Sequence, residues 1–334
     1  MLGGKPARSR HPASACIPEN KGVVMHNPKA GRKRAKFRRY IGVFVIAVPG
    51  LLYLLINNYL PMFGIVIAFK KLDFSKGIWL SPWAGFENFR YLFATRDAWT
   101  ITRNTVLYNL AFIAIGTVVG IAVAILLNEV RNKIAARFFQ SALLIPFLMS
   151  MVVVGYLAYA FLASDTGFIN NSILKPLGID PVSWYIEGKY WPVILVVVNQ
   201  WKSIGFTMVI YLASIVGINP DYYEAAQLDG ANKWRQITHI TLPMLVPTII
   251  TLTLLNLGRM FYSDFGLFYQ VPRNSGMLYE YTRTIDVYVY NALMQNSNFS
   301  MASAASVYQS IVGFALVMIV NSIVRRVRKE DALF

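Results

Sequence analysis

Six stretches of roughly twenty apolar residues, each long enough to cross a hydrocarbon core as a helix, dominate this chain near 41–63, 104–128, 138–162, 190–217, 244–265 and 303–324. Backbone surrounded by lipid must satisfy its own hydrogen bonds, and helices do this within a single segment. The reading is an all-α polytopic membrane protein with about six transmembrane helices in one membrane domain. An ordinary soluble domain is excluded, because only 14% of the 334 residues are charged and 56% are hydrophobic.

The net charge of +16 raises nucleic acid as a partner, but the position of the charge speaks for a bilayer instead. Met1 to Arg39 carries eleven basic residues and one acid, Glu19, while Arg325, Arg326, Arg328 and Lys329 follow the last apolar run. Basic segments flanking spans are topology signals. With Arg131, Lys133 and Arg137 after the second run and Lys233 and Arg235 after the fourth, they favour both termini on the cytoplasmic side. Against this stand Lys70, Lys71, Lys76, Arg90, Arg96 and Arg103 between the first two runs. The chain divides into a basic arm over 1–38 expected to be disordered, a membrane domain over 39–328, and a short tail over 329–334. Met25 is a second possible start, and Cys16, the single cysteine, reads as an unpaired thiol in the arm.

Catalytic and metal-binding patterns are missing. His11, His26 and His239 lack ligand spacing, and no Gly-x-x-x-x-Gly-Lys-Ser/Thr phosphate loop occurs. The chain is therefore read as a non-enzyme with no metal or cofactor of its own. Active transport through it would draw either on an ion gradient acting on membrane-embedded charges or on a separate ATPase.

The loop 218–247 is more organised than a connector requires. Asn219 can cap a helix beginning at Pro220, Asp229-Gly230 can turn the chain, and Pro243 is expected to end a second short helix. Its Glu224-Ala225-Ala226, then Asp229-Gly230-Ala231, then Ile240, Leu242, Pro243 and Pro247 resemble the glutamate-alanine-alanine loop of type I ABC importer permeases. Gly85-Phe86-Glu87-Asn88-Phe89 is similar to the Gly-x-x-Asn-Phe element before the second span of the carbohydrate importers in that family. Phe268 to Pro272 and Ala302-Ser303-Ala304-Ala305 resemble the branch for oligosaccharides derived from polysaccharides, including alginate or uronate importers and lipoprotein-associated ones. Where the pattern has an aromatic residue three before the isoleucine, this chain has Ile237, and Trp234 is the nearby aromatic.

The resemblance implies a first-type permease subunit in a bacterial inner membrane. It would pair with a second permease, a dimeric ATPase that binds ATP and Mg, and an extracytoplasmic solute-binding protein. The loop would seat in a cleft of the ATPase through Glu224, Asp229 and Trp234, with Gly230 supplying a positive φ, Ala225, Ala226 and Ala231 permitting close packing, and Pro243 closing the block.

Polar residues within spans either bind cargo or satisfy one another. Sugars are held by aromatic faces and planar polar groups, which makes Tyr156, Tyr159, Asn199, Trp201, Asn256 and Tyr262 candidates. Lys202, Arg259 and Asp264 are added as charges at span depth, and a cation there suits an acidic sugar such as an alginate or pectin fragment. Two other readings remain open at this stage: a permease of the same machinery for a glycerol phosphodiester or peptide, and an ion-coupled secondary transporter using Lys202, Arg259 and Asp264. Trp79, Trp83, Trp99, Trp184 and Tyr185 are expected to anchor at the interface or meet the binding protein. Gly116-x-x-x-Gly120 permits a close helix crossing.

Overall fold

The computed structural model describes residues 44–327; the expectations for the arm, Met25, Cys16, His11, His26 and the tail lie outside them. The described residues fall into two units, one ending at Pro61 and the other beginning at Met62. In the first, the described residues are helical with a π turn at Leu55–Tyr59, and their side chains are exposed throughout.

The second unit holds α1 (Glu87–Ala94), α2 (Arg96–Asn128), α3 (Lys133–Leu148), α4 (Met151–Leu162) and α5 (Trp191–Val216). The loop contributes α6 (Asp221–Leu228) and α7 (Lys233–Gln236), followed by α8 (Leu242–Gly258), α9 (Phe265–Gln270), α10 (Ile285–Met294) and α11 (Phe299–Val327). Among the described residues the only bridge of β type is the isolated pair Lys70 and Trp83. Five helices are long and apolar enough to cross a membrane, and α3 with α4 make a sixth span if the bent pair is counted as one.

That pair corrects the expectation of one straight span over 138–162. Pro146 lies inside α3, Met149 and Ser150 are extended, and α4 departs at 98° from α3. The chain restarts as a helix because the Ser150 hydroxyl accepts a bond from the Val153 amide at 3.4 Å.

The second correction concerns Pro243, which does not end a helix. The run from Lys233 to Gly258 is continuous, and Pro243 sits in its middle just after a π turn over Ile237–Thr241. Proline clashes with the carbonyl four residues back in a regular helix, and the wider π turn, with the Leu242 amide donating to the Ile237 carbonyl, accommodates it. The fifth span is correspondingly shifted: α8 stops at Gly258, and 259–264 is a turn.

α5 is the axis of packing. Ile121, Ala124 and Leu127 of α2 meet Met208, Tyr211, Leu212 and Ile215 of α5 and Leu245 of α8 in one buried cluster, near the end of α5 that leads into the 218–247 loop. A second cluster around Trp191, Leu195, Leu267 and Phe268 joins α5, α4 and α9 at the opposite end. Gly116 and Gly120 face Gln200 and Thr207 of α5, so this small-residue pattern serves a crossing within the chain. The Gly-x-x-Asn-Phe element also has a local reason: the buried Asn88 amide donates to the carbonyls of Ala68 and Lys70 at 2.8 and 3.0 Å, closing the segment before α1 onto itself.

Gly205 is where α5 crosses α3, and a Cβ there would overlap the Leu143 carbonyl. Gly205→Ala is therefore expected to destabilise the protein by about 1–3 kcal/mol, seen as a lower thermal midpoint in mild detergent. An unchanged midpoint would mean that the two helices do not approach this closely.

Candidate functional site: a central cavity and a helical loop block

The nine side chains grouped as one pool in the sequence separate into distinct places. Asn199, Asn256, Arg259, Tyr262 and Asp264 line a cavity of about 510 Å³ between α2, α5 and α8, halfway along α5. Trp201 instead lines an apolar groove with Val154 and Val197. Tyr156 and Tyr159 line a smaller pocket with Arg273.

Lys202, one residue further along α5, turns away to the break between α3 and α4. Its ammonium donates to the carbonyls of Pro146 at 3.3 Å, Phe147 at 3.0 Å and Met149 at 2.6 Å. An ammonium has three donors, so all three are used, and the carbonyls left open by the end of α3 are satisfied. The ammonium thus faces the helix break and not the central cavity. Phe147, whose carbonyl is held in this way, stacks on Phe206 at 4.9 Å, and both rings line the cavity.

Arg259 is different. It is exposed, and among the described residues its guanidinium makes no hydrogen bond or ion pair. Asp264 does not neutralise it. The Asp264 carboxylate faces α9 and accepts from the Leu267 amide at 3.1 Å as its N-cap. Asp264 is thus structural while still bordering the cavity. The turn carrying Arg259, Tyr262 and Asp264 is fixed by residues the sequence reading missed. The Ser263 amide and hydroxyl donate to the Asp286 carboxylate at 2.7 and 2.6 Å, and Gln309 donates to the same group at 3.1 Å. Asp286 has the signal of an acid within an apolar helix, but nothing in the sequence names its partners.

The 218–247 loop is a rigid helical block. α6 closes with a Schellman motif: the Ala231 amide donates to the Ala226 carbonyl at 2.8 Å and Gly230 to Gln227 at 3.0 Å. Gly230 has φ 78°, the left-handed conformation expected of that position. Asn219 caps the entry, its side-chain oxygen accepting from the Asp221 amide at 3.1 Å, and Asn232 caps α7 through the Arg235 amide at 2.9 Å. Lys233 pairs with Glu129 at 3.1 Å and ties the block to the end of α2, while Tyr223 and Thr241 share a bond of 2.9 Å. Glu224 and Asp229 are exposed, as are the large apolar side chains of Leu228 and Trp234. Ala226 and Ala231 are half-buried, Ala225 and Pro243 exposed.

Two of the outer aromatics are tied into the chain by hydrogen bonds. Trp184 donates to Asn170 at 2.9 Å and Tyr185 to the Val271 carbonyl at 3.3 Å, so both point inward. Burial pushes the Tyr185 hydroxyl up to about 12, with Arg273 acting in the opposite direction. Trp79, Trp83 and Trp99 are exposed.

Residues 116–329 match the family described as the binding-protein-dependent transport system inner membrane component. The chain belongs to this family. Its members are non-enzymatic permease components of ABC transporters, and this membership removes the ion-coupled alternative. The chain is similar to the polygalacturonan/rhamnogalacturonan transport system permease protein YteP of Bacillus subtilis, at 32% identity over 95% of this chain and 98% of the relative. Protein LplB of the same organism is 31% identical over 89% and 92%. Among solved structures it resembles a chain of a bacterial ABC transporter involved in import of the acidic polysaccharide alginate. There the TM-score is 0.81 at 31% identity, covering 89% of this chain and 99% of that one.

Removing the Lys202 ammonium leaves the Phe147 and Met149 carbonyls without their partner at the break, while the Pro146 carbonyl keeps its bond from the Met149 amide at 3.2 Å. Lys202→Met is expected to cost about 3 kcal/mol, lowering the thermal midpoint and reducing transport of charged and neutral cargo alike. A loss confined to charged cargo at normal stability would return Lys202 to the transport path.

Proposed function

We propose that this chain is one of two different permeases in a bacterial importer of oligosaccharides that contain uronic acids. Cargo is delivered by a solute-binding protein and movement is driven by a dimeric ATPase on the cytoplasmic side, where both termini of the chain also lie. The carrying observation is the cavity halfway along α5, in which Arg259 stands without a carboxylate partner beside Asn199, Asn256 and Tyr262. A guanidinium binds a sugar carboxylate in charge-assisted fashion, the two amides suit hydroxyls, and Tyr262 offers a ring to a C–H face. Support also comes from the names of the relatives, which include polygalacturonan/rhamnogalacturonan and alginate beside neutral galactooligosaccharides.

The loop block supplies the link to the ATPase. Glu224 and Asp229 offer polar contacts, and Leu228 and Trp234 fill an apolar cleft. Closure of the ATPase dimer around this block would pull α5 and α8 together as rigid bodies and turn the cavity outward, and hydrolysis would reset it. Lys233 and Glu129 carry the same displacement to α2.

Uptake by the reconstituted complex tests the cargo. Arg259→Met is expected to lower uptake of a uronate oligomer at least about tenfold relative to a neutral oligomer. Equal loss of both would make Arg259 structural, and ATPase stimulation by a glycerol phosphodiester or peptide in place of sugars would assign another cargo. The coupling role is tested by mass spectrometry of the gently extracted complex. Wild type should bring down a second permease and a P-loop ATPase, whereas Glu224→Ala and Gly230→Pro should lose the ATPase. Retention of the ATPase by both variants would sink this assignment.

A further inference from the structure

The pocket lined by Tyr156, Tyr159, Tyr269, Gln270 and Arg273, about 240 Å³ in volume, is separate from the central cavity. It lies toward the other end of α5 from the loop block. Tyr159 touches Tyr185 at 5.6 Å, and Tyr185 in turn packs on Trp191, the first residue of α5, at 5.3 Å. The central cavity begins at Asn199, eight residues further on, which is about 12 Å along a helix.

The turn after α9 is built to present Arg273. Arg273 and Asn274 are both left-handed, at φ 54° and 48°, and such a conformation costs a non-glycine residue energy that the surroundings must supply. The surroundings here are specific. The Arg273 amide donates to the Gln270 carbonyl at 3.2 Å and the Asn274 amide to Tyr269 at 3.0 Å. The Asn274 and buried Asn291 side chains exchange bonds of 3.2 and 3.0 Å, and the Tyr279 hydroxyl donates to Asn274 at 3.2 Å.

Asn274 is thereby consumed in holding the turn, while Arg273 is left free. Its guanidinium lies over the Tyr159 ring at 4.2 Å and makes no hydrogen bond or ion pair among the described residues. A guanidinium held against a ring by a cation–π contact, with no hydrogen bond spent, keeps its N–H donors for a planar anion. The Gln270 side-chain amide is also unpartnered, and Tyr156 is 68% exposed at the rim. Tyr269 is fixed between Phe265 and Tyr290, with ring centres at 4.9 and 5.0 Å. The result is a preformed set of one cation, one amide and aromatic faces, the chemistry that holds a carboxylated sugar ring.

We propose that Arg273, Gln270, Tyr156 and Tyr159 form an outer subsite for one uronate residue of the cargo, ahead of the central cavity on the path inward. This rests on the reading of the chain as an acidic-oligosaccharide importer. Arg273 binds the carboxylate edge-on, Gln270 takes a hydroxyl, and Tyr156 meets the ring face. The sequence offers Tyr156 and Tyr159 as sugar-binding candidates but gives no sign that Arg273 and Gln270 join them, because the contact with Tyr159 spans more than a hundred residues.

The test uses the full complex in proteoliposomes, with tri-galacturonate and its methyl ester as probes. The ester keeps the shape and removes the charge. Arg273→Gln is expected to raise the ratio of KM for the acid over KM for the ester by about tenfold, and Arg273→Lys, a point charge without the fork, by less. An unchanged ratio, or a rise of both KM values together, would overturn the subsite. A fall in ATPase stimulation by the sugar-free binding protein would assign Arg273 to protein docking and overturn it as well. Failure of the underlying reading is visible separately: the wild-type complex would then take up neither probe.

Discussion

The bond set between Lys202 and the end of α3 is the contact on which the rest of the structure depends. A helix that stops within a membrane leaves carbonyls without partners, and each costs several kcal/mol in an apolar setting. An ammonium drawn partly out of water, as the half-buried Lys202 is, is costly for the same reason. Placing one against the other offsets both, and this allows α3 to end at Leu148 and α4 to leave at 98°. Two sites follow from the break. Phe147 is fixed as a wall of the central cavity, and α4 is carried to α9, where Tyr156 and Tyr159 meet the turn that presents Arg273.

The cations of the membrane domain are therefore divided by their partners. Lys202 has its three donors filled by carbonyls, whereas Arg259 and Arg273 keep theirs open. The acids near them are likewise spent, Asp264 on the α9 amide and Asp286 on Ser263 and Gln309. Two open guanidiniums in separate cavities, each beside tyrosine and amide groups, are the places where the proposed acidic cargo would rest.

At the other end of α5 the contrast is between a stiff core and an exposed skin. The Schellman turn, the two asparagine caps and the Lys233–Glu129 pair fix the backbone of the loop block. Its outward surface is occupied by Glu224, Leu228 and Trp234, whose side chains make no hydrogen bond, ion pair or ring contact among the described residues. A block that is internally satisfied but externally apolar transmits force to α5 and α8 without deforming, which is what the proposed ATPase contact demands of it.

Local chemistry was legible in the residues themselves. Apolar length fixed the helical spans because lipid allows few other backbones, and Asp229-Gly230 announced its left-handed turn because few residues adopt that conformation cheaply. Asn88 and the loop pattern were marked in the sequence by resemblance to a family, and the structure supplied the backbone carbonyls that Asn88 binds. What the tertiary structure alone decided was which polar group meets which. Lys202 and its carbonyls are more than fifty residues apart, Tyr159 and Arg273 more than a hundred, and Pro243 was spared its break by a π turn that no residue preference encodes. Charge and ring are written in the sequence; whether a charge is spent or free depends on the partner that packing brings to it.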